Sequence, residues 1–183
     1  MPSQAPPTVW TIGHSTRPIG EFIGLLDENR IQAIADVRRF PGSRRHPQFG
    51  GEALQATLAA NGIGYRWMPG LGGRRRAVPG SRNAAWKNAA FRGYADYMQT
   101  AEFAAAFDGL LAFAARQRTC LMCAEAVWWR CHRSMISDDL ESHGIAVLHI
   151  MDAGKTTAHR YTAPARIVDG KLTYAADGLP GID

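Results

Sequence analysis

The sequence holds no run of the roughly 18 uncharged apolar residues that a membrane-spanning helix requires. Its first residues, MPSQAPPTVW, lack a basic segment followed by an apolar one. Together these absences predict a soluble, cytoplasmic protein with no membrane partner. Cysteine is scarce too. Three among 183 residues, an odd number without framework spacing, argue against a disulfide-stapled secreted scaffold and for reduced thiols. Acidic residues almost vanish from one long stretch: from Arg38 to Arg92 there is only Glu52, against eleven of the 21 lysines and arginines. So basic a segment faces either solvent or an anionic partner, and phosphate is the expected chemistry of such a partner.

What is present is length and apolar content for one sizeable core, with 46% apolar residues. A single domain over 1–183 is expected. Hydrophobic periodicity then alternates. VWTIGHS (9–15) reads as a buried strand and PIGEFIGLLDENR (18–30) as a helix. IQAIADVR (31–38) is a second strand, 52–60 a helix ending at Asn61-Gly62, and 64–68 a short strand. Residues 69–92 form a Gly/Arg-rich stretch without periodicity, read as a mobile basic flap. Helix is expected over 91–116 with a break near Thr100, strand over 119–124, helix over 133–143 and strand over 145–151. The Asp-Gly of ARIVDGKLTY predicts a C-terminal hairpin over 165–174. Alternating strands and helices give an α/β fold: a Rossmann-like three-layer sandwich with a mainly parallel sheet.

In that architecture ligands sit beyond the carboxyl ends of the strands. Polar clusters fall at three such ends. His14 and Ser15 follow the first strand; Asp36, Arg38, Ser43 and Arg44 follow the second; Cys123 to Arg133 follow the fourth.

The segments TIGHST (11–16), ADVRRFPGSRRHPQF (35–49), GLGGRR (70–75), FRGYADYM (91–98) and CAEAVWWRCHRS (123–134) occur in this order. Together they resemble the bacterial and archaeal family known as domain of unknown function 488, over most of residues 9–151. The resemblance implies that the matching positions are site residues. It assigns no reaction, cofactor or catalytic role.

The segment at 123–134 can be tested against known chemistries. Cys120 and Cys123 form C-x-x-C, but residues three apart on a strand face opposite ways, so they are not a redox pair. A Cys-x5-Arg oxyanion cradle fails, because Trp129 stands where the arginine belongs and Arg130 comes one residue late. The His-x-Glu and Pro-Cys-x-x-Cys of zinc deaminases are missing. Cys123 and Glu125 remain, two apart at the strand end, with Cys131, His132 and Arg133 at a helix start, where free amides and the helix dipole favour anions. Glu125 is a candidate general base or nucleophile, with the tryptophans expected to desolvate it. Cys131 and Cys123 are the alternative nucleophiles. Asp36, a further catalytic candidate, either orients an arginine or hydrogen-bonds a ribose hydroxyl, as strand-end acids do in nucleotide folds, or forms a salt bridge that fixes the loop. His14, Ser15, Arg38, Ser43, Arg44, Arg74, Tyr94, His132 and Arg133 are the expected substrate contacts, with Arg133 suited to bidentate phosphate binding and Tyr94 to base stacking.

Cys123, Cys131, His132 and His14 could also supply a tetrahedral metal set. However, C-x7-C-H is not a standard ligand spacing and adjacent Cys and His side chains rarely converge, so no residue is assigned to a metal. The resulting expectation is a hydrolase or transferase acting on a nucleotide or nucleic acid. A non-catalytic nucleic-acid-binding protein and a Cys/His metal-binding protein are the alternatives. Cofactor and oligomeric state stay open.

Overall fold

A computed structural model describes residues 7–176. A six-stranded sheet forms its centre, its strands in spatial order being Gly64–Trp67, Ala33–Asp36, Thr119–Cys123, Thr8–Gly13, Ala146–Asp152 and Lys155–Ala158. The first five strands in chain order are parallel: β1 (Thr8–Gly13), β2 (Ala33–Asp36), β3 (Gly64–Trp67), β4 (Thr119–Cys123) and β5 (Ala146–Asp152). Strands β2 and β4 are buried at every position, as expected when helices cover both faces of a parallel sheet.

The chain divides its helices between the faces by the side each apolar stripe meets. Helices α1 (Ile19–Glu28) and α2 (Gly51–Ala60) pack Phe22, Leu26, Leu54 and Leu58 against Trp10, Ile12, Ile34 and Cys120. On the other face, α3 (Ala89–Met98), α4 (Ala101–Ala114) and α5 (Arg133–Ser142) bring Tyr94, Phe103, Leu110, Met135 and Leu140 against Val9, Ala35, Leu121 and Cys123. Each fully buried large apolar side chain contributes about 1.5–3 kcal/mol. Cys120 and Cys123 lie in the two separate cores, so the period-2 argument against a redox pair holds.

The expected break near Thr100 separates α3 from α4. Thr100 caps the second helix, its side-chain oxygen accepting from the Phe103 amide at 3.2 Å. The C-terminal hairpin pairs β7 (Arg166–Val168) with β8 (Lys171–Thr173). Its turn residues Asp169 and Gly170 both take positive φ, 49° and 75°, as a type I′ turn requires. One strand has no counterpart in the sequence expectations: β6 (Lys155–Ala158) runs antiparallel on the edge beside β5. All four of its residues are exposed, so it carries no buried alternation that a hydrophobic pattern would reveal.

Strand order also fixes where a site belongs. β1 and β4 are neighbours, yet β1 leads into α1 on one face and β4 leads toward α5 on the other. Their carboxyl ends therefore diverge around a crevice, the switch point where ligands bind in open α/β sheets. Gly13 and Cys123 are register partners at its base.

Candidate active site

The crevice opens into a cleft of about 890 Å³, lined at its base by Cys123, Cys131 and His132. Gly13 makes this base possible. A Cβ there would stand 1.8 Å from the Glu125 carbonyl oxygen, so only glycine lets the β1 end lie against the turn after β4. Amides of His14 and Ser15 donate to the Cys123 and Ala124 carbonyls at 3.0 and 2.9 Å. Ser15 closes the turn with φ 48°, a left-handed conformation uncommon outside glycine and worth noting beside a cleft.

The cysteines and His132 converge. Cys123 Sγ, Cys131 Sγ and a ring nitrogen of His132 all lie within 4.8 Å of one another, with His132 Nδ1 3.7 Å from Cys131 Sγ, against the sequence expectation that adjacent Cys and His side chains rarely converge. A 3₁₀ turn over Trp128–Arg130 precedes Cys131, which is extended, whereas His132 is already helical at φ −57°, ψ −19°. That change of backbone turns both side chains toward Cys123. All three cysteines are free. The Cys131 thiol beside it, then the His132 ring and the Glu125 amide, hold the Cys123 thiol well below its ordinary pKa despite burial. Cys131 is pushed the other way, first by burial and then by Cys123, and so keeps its proton.

Asp36 is fully buried and does not line the cleft. Its Oδ1 accepts from the Arg38 amide and Nε at 3.1 and 2.9 Å, and its Oδ2 from Arg38 NH2 and the Tyr65 hydroxyl at 2.6 and 2.7 Å. With both oxygens engaged twice and away from the cleft, Asp36 orients Arg38, which is one of the roles its sequence position leaves open and takes it out of the cleft where the other catalytic candidates stand. Arg38 NH1 in turn donates to the Phe49 carbonyl at 2.8 Å and faces His14 Nε2 at 3.3 Å. His14 Nδ1 lies 2.9 Å from the Ser15 carbonyl. A carbonyl only accepts, so Nδ1 carries the proton and Nε2 accepts from Arg38. Burial, with Arg38 adding to it, lowers the His14 pKa and keeps the ring neutral. Both nitrogens are occupied, so His14 is not a metal ligand.

Arg133 and Tyr94 also differ from expectation. Arg133 is 1% exposed and does not line the cleft; its NH2 donates to the Glu125 and Ala126 carbonyls at 2.8 and 3.0 Å. It fixes the turn after β4 through NH2, while its Nε and NH1 are buried without a hydrogen-bond partner among the described residues; the sequence expectation of bidentate phosphate binding would place it in the cleft instead. Tyr94 touches the cleft but is 1% exposed, its hydroxyl donating to the Leu71 carbonyl at 2.8 Å, so it offers no open face for stacking. Glu125 lines the cleft and is exposed. The expected desolvation by the tryptophans is missing, because Trp128 stacks on His149 instead, with ring centroids 4.3 Å apart.

Ser43 and Arg44 line the cleft; the Ser43 Oγ accepts from the His46 amide at 3.0 Å and shapes the turn that carries Arg44. Arg74 reaches the same space from the Gly/Arg-rich segment, which is strapped down rather than free. Arg39 NH1 donates to the Arg74 carbonyl at 2.9 Å, Arg75 lies 3.6 Å over the Tyr97 ring, and Asp96 takes hydrogen bonds from Val78, Ser81 and Asn83. Arg45, Arg130 and Phe40, which lie in the family-like segments but are not among the contacts named individually from the sequence, also line the cleft. Phe40 is 64% exposed. The basic run ADVRRFPGSRR is the signal for Arg45 and Phe40; Arg130 shows in the sequence as the arginine one residue late for a Cys-x5-Arg cradle.

Among the described residues no helix is long and apolar enough to cross a membrane. The α/β chain just described matches the family model described as Domain of unknown function DUF488 over residues 18–140. The protein belongs to that family. No curated protein and no solved structure matches the chain.

Proposed function

We propose that the protein is an enzyme that acts on a phosphate-bearing substrate, a nucleotide or the end of a nucleic acid, in the cytoplasm. One observation carries this reading. Arginines from three separate segments, Arg44 and Arg45 after β2, Arg74 on the strap and Arg130 before α5, surround a cleft whose base is the Cys123, Cys131 and His132 cluster. None of these four guanidinium groups has a hydrogen bond or ion pair within the protein among the described residues. They are therefore available to oxyanions, for which the planar guanidinium is suited. Arg38, already saturated by Asp36, Phe49 and His14, supports the base from below.

Phe40 favours a nucleotide over a bare phosphate. Its exposed ring on the cleft, with the Arg39 guanidinium 5.6 Å from its centroid, offers a face on which a base can stack. The reacting phosphate end then lies toward Cys123, Cys131 and His132. Among the described residues Glu125 is the one carboxylate lining the cleft, and it serves as the proton acceptor for an attacking hydroxyl or water, with Ser15 beside it as a polar contact.

The test combines affinity and turnover over mononucleotides and short single-stranded oligonucleotides with terminal phosphates. The Arg44→Ala, Arg74→Ala pair lowers affinity and makes its salt dependence shallower, by about one unit of log-log slope per lost phosphate contact. Glu125→Gln and Cys123→Ser keep affinity and lose turnover. Absence of affinity for every phosphate-bearing ligand at low salt overturns the reading. Binding with no turnover by the wild-type protein replaces the enzyme with a nucleic-acid-binding module.

A further inference from the structure

We infer that Cys123 Sγ, Cys131 Sγ and His132 Nδ1 form a binding site for one soft divalent metal ion of the Zn²⁺ class, with its remaining coordination position open to the cleft. The inference deepens the proposed function by naming what stands at the reacting end of the substrate, but the site itself stands on geometry independent of that reading.

Distances come first. The three donor atoms lie within 4.8 Å of one another, and Cys131 Sγ is 3.7 Å from His132 Nδ1. A tetrahedral ion with bonds of about 2.3 Å to sulfur and 2.0–2.1 Å to nitrogen sets its sulfur and nitrogen ligands roughly 3.6 Å apart. The Cys131 and His132 donors thus already stand at the separation that a shared ion imposes. No rotamer change is needed to bring them there.

The tautomer of His132 points the same way. Its Nε2 is 2.9 Å from the Val37 carbonyl oxygen. Because that oxygen can only accept, Nε2 carries the proton, and in the neutral ring the lone pair is on Nδ1, facing the two sulfurs. A ligating histidine held through its other nitrogen by a backbone carbonyl is the usual outer support of a metal site. The carbonyl belongs to the residue just after β2, so three strand ends, those of β1, β2 and β4, fix the geometry.

Donor type and access settle the class. Two sulfurs and one imidazole suit Zn²⁺ or Fe²⁺, and hard ions such as Mg²⁺ or Ca²⁺ select oxygen instead. His14 cannot complete the set, since both its nitrogens are used. Three protein ligands with one open position are the arrangement of catalytic rather than structural zinc. All three residues line the cleft, so the open position meets whatever the arginines hold, and a phosphate oxygen or a water is the ligand of matching chemistry. The start of α5 lies beside the sulfurs, and its amide ends favour their negative charge.

The experiment uses the full chain, purified without a metal-binding tag under reducing conditions, stripped with a chelator and reloaded with Zn²⁺ or Co²⁺ alone. We expect one equivalent of Zn²⁺ per chain by native mass and elemental analysis, and a thiolate-to-cobalt charge-transfer band with the Co²⁺ form. Cys131→Ser and His132→Ala should weaken binding by more than about 100-fold, beyond what loss of an outer contact causes. Cys120→Ala, on the opposite face of β4, should retain one full equivalent. Circular dichroism identifies any variant that fails to fold. In that case the wild-type cobalt spectrum decides alone, since a two-sulfur band appears only if the cysteines are ligands. Substoichiometric metal in protein whose three thiols titrate as free would overturn the inference, as would a Cys123–Cys131 disulfide forming in place of metal uptake. Because no phosphate ligand is present, either result leaves the substrate proposal standing, and failure of nucleotide binding leaves the metal site standing.

Discussion

Gly73 lies directly against the imidazole of His132: a Cβ on that glycine would stand 2.9 Å from Nδ1. The strap over the site is thus seated by missing side chains. Its neighbour Gly72 is held more tightly, with an added Cβ 2.6 Å from the Arg39 Cα and 2.8 Å from the Arg39 amide nitrogen. A ring can tilt where backbone cannot. Gly73→Ala should therefore cost about 1 kcal/mol and displace His132, and Gly72→Ala should cost nearer 3 kcal/mol, the upper range for overpacking. Gly24→Ala, exposed on α1 with open space at its Cβ position, should stabilise by up to about 1 kcal/mol. Urea denaturation of the three variants separates these outcomes, and equal losses for all three would remove the packing argument.

Asp36 and Arg38 form the buried ion pair under the cleft, with side chains 0% and 6% exposed. Removing one partner of such a pair leaves an uncompensated charge. Asp36→Ala should cost about 3–5 kcal/mol and weaken phosphate-ligand affinity, although Asp36 touches no ligand, because Arg38 and His14 lose their support. Tyr65→Phe removes a single hydrogen bond to the same carboxylate and should cost about 1.5–3 kcal/mol. Chemical denaturation with and without a nucleotide reads both effects. An Asp36→Ala protein as stable as Tyr65→Phe would show that the pair is not the keystone of that strand end.

The extent to which this site was legible in the sequence follows from which physical rule each residue obeys. Strand ends are local features, and so the carboxyl ends of β1, β2 and β4 with His14, Arg38 and Cys123 were readable from periodicity alone. The same rule placed Cys120 and Cys123 on opposite faces. Side-chain direction on irregular backbone is not local in this way. The short 3₁₀ turn before Cys131 decides that Cys131 and His132 face Cys123, and no spacing rule encodes it. Burial is not legible in the same way: Arg133 reads as a phosphate contact from its place at a helix start and Asp36 as either an arginine-orienting group or a substrate contact, and only the structure shows both to be buried, Asp36 bonded to Arg38 and Arg133 NH2 to the turn after β4. Tyr94 reads from the sequence as a stacking contact beside arginines, though aromatics at helical spacing are more often core, and its burial and its bond to Leu71 place it in the core. Strand β6, short, polar and exposed throughout, carries no signal of its own.

His149 supplies a pH dependence. Its Nδ1 lies 2.6 Å from the Thr11 hydroxyl and its Nε2 3.0 Å from His159 Nδ1, while Trp128 covers its face. Burial, the neighbouring His159 and the Arg133 charge push its pKa down to about 2. The folded protein thus refuses a proton that the unfolded chain accepts near pH 6.5. Above that pH the group contributes no pH dependence; below it, stability falls as pH falls, by about 1.4 kcal/mol per unit until the folded pKa is reached. His149→Gln should flatten the stability profile between pH 6 and pH 4 by roughly 2–3 kcal/mol relative to wild type. Parallel profiles for the two proteins would mean that His149 is not the group responsible.

Asp138 ties the chain beyond the family-matched region to the rest. Its side chain, fully buried on α5, accepts from His159 Nε2 at 2.9 Å, the Thr162 amide and hydroxyl at 2.9 and 2.6 Å, and the Tyr174 hydroxyl at 2.8 Å. Four donors from residues 159–174 converge on one carboxylate and so join that segment to α5. Asp138→Ala leaves those donors buried without an acceptor and should cost about 3 kcal/mol or more. The loss should be local before it is global. Limited proteolysis of Asp138→Ala should cut first between residues 159 and 175, where wild type resists, while hydrogen exchange in β1, β2 and β4 stays slow. Tyr174→Phe, lacking one of the four donors, should fall between the two. Uniform loss of protection across the sheet in Asp138→Ala would place this carboxylate in the global core and not at the joint between α5 and the C-terminal hairpin.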